Sequence, residues 1–195
     1  MNPTSPPAAA SPASPASPWV LRFAPLIRAG SPVLDLACGA GRHARALAAR
    51  GHPVLAVDRD AQALEGLREL SGVRTLQADL EAAPWPLAGQ RFGAVVVTRY
   101  LWRSLLPHIV QAVDDGGVLI YETFAVGQQT IGRPSRPEFL LRTGELLDVV
   151  HGQLRVVAYE DGFEAGAGGC FVQRICAVRS PDARAEDPDP PKYNL

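Results

Sequence analysis

The stretch Val33-Leu34-Asp35-Leu36-Ala37-Cys38-Gly39-Ala40-Gly41 constrains what this chain can fold into more than any other. A short apolar run that ends in two closely spaced glycines, then passes into the helical pattern Arg42 to Arg50 stopped by Gly51, reads as strand, tight turn and helix. Gly39 and Gly41 let the backbone turn sharply and put no Cβ in the way of a ligand, toward which the helix N-terminus then points. Ala44 completes a G-x-G-x-x-A pattern. Asp58 ends the following apolar run, where a carboxylate can accept hydrogen bonds from a ribose.

The same alternation continues along the chain. Pro53 to Asp58 is the second strand, Asp60 caps a helix running to about Leu70, and Val73 to Ala78 is the third strand. Residues 80–91 hold Pro84, Pro86 and Gly89, too many breakers for a full helix, so the link to the fourth strand, Phe92 to Thr98, is mostly loop. Arg103 to Val113 reads as a helix despite Pro107, Asp114 to Gly117 as a turn, and Val118 to Phe124 as the fifth strand. Pro137 to Val150 is helical. Leu154 to Glu160 and Cys170 to Val178 then form an antiparallel hairpin across the Gly-rich segment 162–169. The expected fold is α/β: a single Rossmann-like domain with a seven-stranded, mostly parallel sheet in the order 3-2-1-4-5-7-6, helices on both faces and the terminal hairpin antiparallel.

The expected domain covers residues 19–179. Residues 1–18, nearly all Pro, Ala and Ser, and residues 180–195, proline-rich and acidic, bury too little area to offset chain entropy and read as disordered tails. A length of 195 residues suits one core, and no apolar run approaches the ~18 residues of a membrane span. A net charge of −1 supplies no field for gathering nucleic acid or coating an anionic membrane, so neither is an expected partner. The three cysteines lack metal-ligand spacing, and no metal is expected. The N-terminal stretch carries no Lys or Arg and does not read as a secretory signal, so a cytoplasmic location is expected. Oligomeric state stays open.

On its glycines and Asp58 alone, the turn fits NAD as well as any other adenosine-bearing ligand. Three features favour S-adenosylmethionine. Asp35, inside the strand, repels a pyrophosphate but suits a cationic amino-acid ligand. Asp79 ends the third strand and can accept a hydrogen bond from an adenine amino group, with Leu80 and Trp85 as an apolar wall. The terminal hairpin departs from the dinucleotide-binding fold, which continues in parallel.

The segment from Val33 to Phe124 resembles the class I S-adenosylmethionine-dependent methyltransferases. Their first motif, [DE]-x-[GA]-x-G-x-G, is met by Asp35, Ala37, Gly39 and Gly41, with Ala37 standing where glycine is common. Asp58 matches the ribose acid and Asp79 the adenine-edge acid. Thr98-Arg99-Tyr100-Leu101-Trp102-Arg103, followed by Tyr121-Glu122-Thr123-Phe124, is similar to small bacterial methyltransferases of the tellurite-resistance-like kind, with Arg99 where that group commonly has Asn. The resemblance implies S-adenosyl-L-methionine as cofactor and S-adenosyl-L-homocysteine as product. It implies a cofactor site built from Asp35, Ala37, Cys38, Gly39, Gly41, Arg42, Asp58, Arg59, Asp79, Leu80 and Thr98. The implied activity is methyl transfer by in-line displacement to a small-molecule acceptor, anionic or a soft nucleophile. The alternatives are an NAD(P)-binding Rossmann protein and a module that binds S-adenosylmethionine without turnover.

Such a transfer needs alignment and exclusion of water more than a dedicated base, so catalytic residues are hard to read from sequence. Arg99, Tyr100 and Glu122 are the candidates. Acceptors in open α/β sheets bind beyond the carboxyl ends of the strands, which singles out Tyr100, Arg103, Arg133 and Arg136 as substrate-binding candidates and a local positive cluster. Arg42 can reach the carboxylate of the ligand's methionine moiety. His43 reads as a packing or surface residue, His52, His108 and His151 as structural, Cys38 as a small apolar side chain, and Cys170 and Cys176 as core residues on one strand face.

Overall fold

A computed structural model describes residues 14–166, 168–180 and 192–193. Its sheet has seven strands in the expected order β3-β2-β1-β4-β5-β7-β6. The strands are β1 (Val33–Leu36), β2 (Val54–Asp58), β3 (Val73–Gln77), β4 (Phe92–Thr98), β5 (Val113–Phe124), β6 (Arg155–Glu164) and β7 (Cys170–Val178). β1 to β5 pair in parallel, and β7 is antiparallel to both β5 and β6. The helices are α1 (Pro18–Phe23), α2 (Arg42–Ala48), α3 (Ala61–Glu65), α4 (Leu106–Gln111) and α5 (Glu145–Val150).

Strand parity divides the core in two. Leu34, Leu36, Val95, Val97, Leu119 and Tyr121 face Ile109 and Val110 of α4 and Leu146 and Val150 of α5. Their neighbours Val33, Ala94, Val96, Val118 and Ile120 face Trp19, Val20 and Phe23 of α1, Ala44 and Leu47 of α2, and Leu64 of α3. All four residues of β1 are therefore buried, which is why the central strands read as unbroken apolar runs. Successive residues sit against different helical layers, so the exit of each strand is fixed from both sides.

Several element boundaries differ from the sequence reading. The helix after Asp60 stops at Glu65 rather than near Leu70: Asp60 Oδ1 caps it through Gln62 N and Ala63 N, Gly66 ends it, and single turns follow. The helix expected over 103–113 begins as a three-residue 3-10 turn, Arg103–Leu105. α4 then starts at Leu106, with Pro107 in its first turn, where a missing N–H costs nothing. Asp114 to Gly117 do not reverse the chain. They bulge out of β5 between the pairs Phe92↔Val113 and Ala94↔Val118, and Gly116 N donates to Arg179 O at 2.8 Å. A Cβ on Gly117 would fall 2.8 Å from Asp114 O and 2.9 Å from Phe92 O, so only glycine fits there. The helix expected over 137–150 is broken into a 3-10 turn at Pro137–Phe139 and α5, because Gly144 takes φ +75° immediately before α5. β6 runs on to Glu164 instead of ending at Glu160. No helix links β3 to β4, as the breakers between them require.

The N-terminal boundary moves as well. Ser17, placed in the expected tail, is 4% exposed, its hydroxyl caps α1 by accepting from Trp19 N at 3.1 Å, and Pro18 is the first helical residue. An N-cap serine followed by proline is a sequence-level helix start that the surrounding Pro/Ser/Ala repeats conceal. The remaining disorder expectations, for residues 1–13, 181–191 and 194–195, lie outside the described residues. Within the second expected tail, Tyr193 packs against the α1 side of the core, with Arg155 over its ring at 5.5 Å. Among the described residues no helix is long and apolar enough to cross a membrane.

Ser17→Ala removes the α1 cap from a buried position. It is expected to lower stability by about 1 kcal/mol in equilibrium urea unfolding; a value within error of zero would place the folded boundary after residue 18.

Candidate active site

The carboxyl ends of β1, β2, β3 and β4 converge on one cleft. Its walls include Ala37, Asp58, Arg59, Asp79, Leu80 and Tyr100, around an open volume of ≈ 420 Å³. The turn after β1 is held from two sides. Gly39 N donates to Asp58 Oδ2 at 2.7 Å, and Asp58 Oδ1 accepts from Asp60 N at 3.0 Å. Below the turn, Asp35 Oδ2 accepts from Ala44 N at 2.9 Å and so satisfies one of the free donors of the first turn of α2. Gly39 and Gly41 take φ +54° and +72°; Gly39 looks into open space, whereas a Cβ at Gly41 would strike Leu67. Ala37 shares the left-handed conformation, with φ +53°, which is the physical reason that glycine suits this motif position.

Burial pushes the Asp35 carboxyl up to about 7, against the lowering effects of the Ala44 N–H and Arg42. Asp35 is 1% exposed and lies beneath the turn, not on the cleft wall, so its place in this fold is under the start of α2 and not at the cleft surface where the sequence reading put a ligand. Asp79 is exposed, and its Oδ1 accepts from Glu81 N at 2.9 Å and Ala82 N at 3.1 Å. These bonds hold its carboxyl below the usual range and leave Oδ2 without a hydrogen bond among the described residues. Leu80 is 5% exposed and lines the cleft. Trp85, expected beside it, instead stacks on His108 at 5.7 Å outside the cleft. Cys38 is buried, its Sγ directed to Gly39 O, and burial raises its thiol well above the usual range, in keeping with a small apolar role.

Thr98 closes β4 and meets His43, whose Nδ1 lies 3.4 Å from Thr98 Oγ1 while Nε2 accepts from Ser17 N at 3.2 Å. His43 is 1% exposed, and burial lowers it to about 4, so it is the neutral imidazole that ties the chain before α1 to β4. Arg42 Nη1 donates to Pro15 O at 3.3 Å. The sequence reading missed Ser17 and gave His43 no specific partner; the two are far apart in sequence, and nothing local announces their contact.

The arginines sort differently from expectation. Arg103 does not face an acceptor: Nε and Nη2 grip Glu145 at 2.7 and 2.9 Å, and Nη1 and Nη2 donate to Glu138 O and Leu140 O, both at 2.8 Å. It ties the turn after β4 to α5. Arg136 is exposed and pairs with Glu138, and Arg133 is exposed in the same loop, so these two do not build a bare positive cluster. Arg99 is exposed with φ +53°. Glu122 pairs at 2.6 Å with Arg174, a residue the sequence reading did not single out, and Arg174 also contacts Glu160 and Glu164. Cys170 is only partly buried beside Glu164, a rim position in place of the expected core one, whereas Cys176 is fully buried. Among the described residues no group of His, Cys, Asp and Glu could hold a metal ion.

Two outcomes follow. Asp35 has a folded-state value above its unfolded one, so its contribution is full below about 4 and is lost as pH rises toward about 7. Asp35→Asn is therefore expected to gain stability relative to the parent across that window and to hold a constant difference above it, read from urea unfolding at stepped pH. Arg103→Ala leaves the Glu145 carboxylate with Arg142 alone and is expected to cost about 2 kcal/mol while ligand affinity at the cleft stays unchanged by calorimetry.

Comparison with known proteins agrees with this geometry. The family model described as "Methyltransferase domain" matches residues 33–117. No curated protein matches the chain in sequence. Among solved structures, TehB from Haemophilus influenzae is similar at 20% identity and TM-score 0.67, over 83% of this chain; the chain spans 61% of that protein's length. A TehB-like SAM-dependent methyltransferase from Corynebacterium glutamicum is similar at 21% identity and TM-score 0.56, over 80% of this chain and 86% of that one. The glycopeptide N-methyltransferase MtfA, solved with S-adenosyl-L-homocysteine, is similar at 18% identity and TM-score 0.57, over 82% and 88%. The motif-bearing turn, the acids at successive strand ends and the closing hairpin thus lie in one sheet, residues 33–117 match the methyltransferase-domain model, and the chain shares the fold of the TehB-like proteins.

Proposed function

We propose that this protein transfers the methyl group of S-adenosylmethionine to a small acceptor that arrives as an anion or another soft nucleophile. The observation that carries the reading is that Asp58 and Asp79, at neighbouring strand ends, line one cleft beside the open face of Gly39. The residues present fit the cofactor's nucleoside. Asp58 is placed to accept from ribose hydroxyls, Asp79 to accept from the adenine amino group through its uncommitted oxygen, and Leu80 to pack on the base. Bound S-adenosylmethionine supplies an electrophilic methyl group on a sulfonium leaving group.

The chain's own candidates for a base are poor ones. Glu122 is committed to Arg174, and burial together with nearby carboxylates holds the Tyr100 hydroxyl above its usual range, hence protonated at neutral pH. His43 is sealed between Ser17 and Thr98. An acceptor that attacks without giving up a proton suits such a site, and the protein's task is then alignment and exclusion of water. Arg99, exposed where β4 ends, is the cation best placed to meet an incoming anion. Two structural neighbours, MtfA and coclaurine N-methyltransferase, the latter bound to N-methylheliamine and SAH, support a small acceptor by likeness of fold.

Calorimetric titration is expected to show binding of S-adenosyl-L-homocysteine and none of NAD, with Asp58→Ala weakening the first roughly 100-fold through lost charge-assisted hydrogen bonds. Labelled methyl donor offered with thiols, chalcogen oxyanions, small carboxylates and amines would then identify the acceptor. NAD binding in place of the homocysteine product would sink the proposal.

A further inference from the structure

Tyr100 follows β4 and lines the cleft with Asp58, Asp79 and Leu80. Its backbone is pinned, because Tyr100 O accepts from Tyr121 OH at 2.8 Å. Its own hydroxyl is buried and has no hydrogen-bond partner. A sealed, unpartnered hydroxyl destabilises the free protein, since a buried donor is left unmade, and its presence calls for a physical account. The charged groups acting most strongly on it are, in order, Glu81, Asp79, Arg59 and Asp58. Tyr100 shares the cleft wall with Asp79, Leu80 and Glu81, where the base would lie, as well as with Asp58, where the ribose would lie. Burial, with the carboxylates around it, keeps it protonated and thus a donor. They offer it no bond in this arrangement.

Adenine presents an amino donor flanked by ring nitrogens that only accept. Asp79 supplies an acceptor and no donor. We propose that Tyr100 is the complementary donor: its hydroxyl swings from the wall and donates to the ring nitrogen beside the adenine amino group, so that Asp79 and Tyr100 together read adenine. This assignment rests on the reading of the cleft as the nucleoside site of S-adenosylmethionine. It moves Tyr100 from acceptor chemistry to recognition of the methyl donor, as a specificity-determining residue.

The inference gives one substitution two opposite effects. Tyr100→Phe removes an unsatisfied buried hydroxyl from the free protein and is expected to raise its Tm by about 2–4 °C. The same change removes a hydrogen bond from the complex and is expected to weaken S-adenosyl-L-homocysteine and adenosine alike, roughly tenfold by calorimetry. The parent protein is also titrated with the 1-deaza and 7-deaza analogues of S-adenosyl-L-homocysteine. One of the two should lose about the same factor against the parent and nothing further against Tyr100→Phe. If the parent binds the homocysteine product but Tyr100→Phe binds it equally well, or if each deaza analogue loses as much affinity against the variant as against the parent, the Tyr100 assignment is overturned. Absence of binding by the parent overturns the nucleoside-site reading itself, and the two failures are thereby told apart. Should Tyr100→Phe not fold, the deaza series on the parent decides: equal affinity for all three ligands overturns the proposal.

Discussion

The hydrogen bond from Gly39 N to Asp58 Oδ2 is the interaction on which the cleft depends. It joins the turn after β1 to the end of β2, and Cys38 N reinforces the link by donating to Val57 O at 3.0 Å. The other oxygen of Asp58 accepts from Asp60 N, and Asp60 in turn caps α3. One carboxylate therefore fixes a turn and the entry to a helix while keeping lone pairs at the cleft surface. Asp35, one strand away, organises α2 in the same manner from below. Beyond its burial, the charge of Asp58 adds to the cost of ionising Asp35, and the Ala44 N–H and Arg42 offset part of it. A cationic ligand above the turn would offset more, which links the chemistry of the methyl donor to the local electrostatics of the fold.

The features legible in the sequence are those carried by short-range pattern. Central strands buried on both faces read as apolar runs, the motif turn reads from its glycines, and Asp58 and Asp79 read from their places at strand ends. Contacts between distant segments leave no such trace. Nothing near Arg103 announces that Glu145, Glu138 O and Leu140 O will take up four of its five N–H donors, and Arg133 and Arg136 looked equivalent to it for that reason. Ser17 was hidden for another: a capping serine inside a Pro/Ser/Ala repeat has the same composition as its surroundings, and only the apolar triple Trp19, Val20 and Phe23 after it distinguishes the helix start. Trp85 lay near Leu80 in sequence and packs on the same side of the sheet, but its ring is taken up by His108 and does not line the cleft.

Arginine is used mainly for structure on this scaffold. Arg103 closes one loop, and Arg179 donates to Val113 O and Val110 O beside the β5 bulge. Arg174 joins three strands through Glu122 on β5 and Glu160 and Glu164 on β6. Burial and the neighbouring Arg99 lower Arg42 from its usual value, while Glu122 and Asp35 act in the opposite sense. The cations left near the ends of β1 and β4 are thus Arg42, partly covered by Pro15 O, and the exposed Arg99.

Those two strand ends share a further constraint. β1 and β4 are adjacent and in register, Leu36 opposite Val97, and shortly beyond that pair both chains adopt the same left-handed conformation at non-glycine residues, Ala37 and Arg99, each with φ +53°. Such residues carry strain of order 1 kcal/mol, and the ladder sustains it: Cys38 N stays bonded to Val57 O, and Arg99 N to Glu122 O at 2.9 Å. Two neighbouring strands that turn in the same sense at their exits leave a gap between the segments that follow, Cys38 to Gly41 on one side and Tyr100 to Trp102 on the other. Ala37 and Tyr100 line the cleft at that gap. The opening that would admit a nucleoside on one side and an acceptor on the other is therefore a property of the backbone at the carboxyl ends of two central strands, and the carboxylates and the unpartnered hydroxyl give it its chemistry.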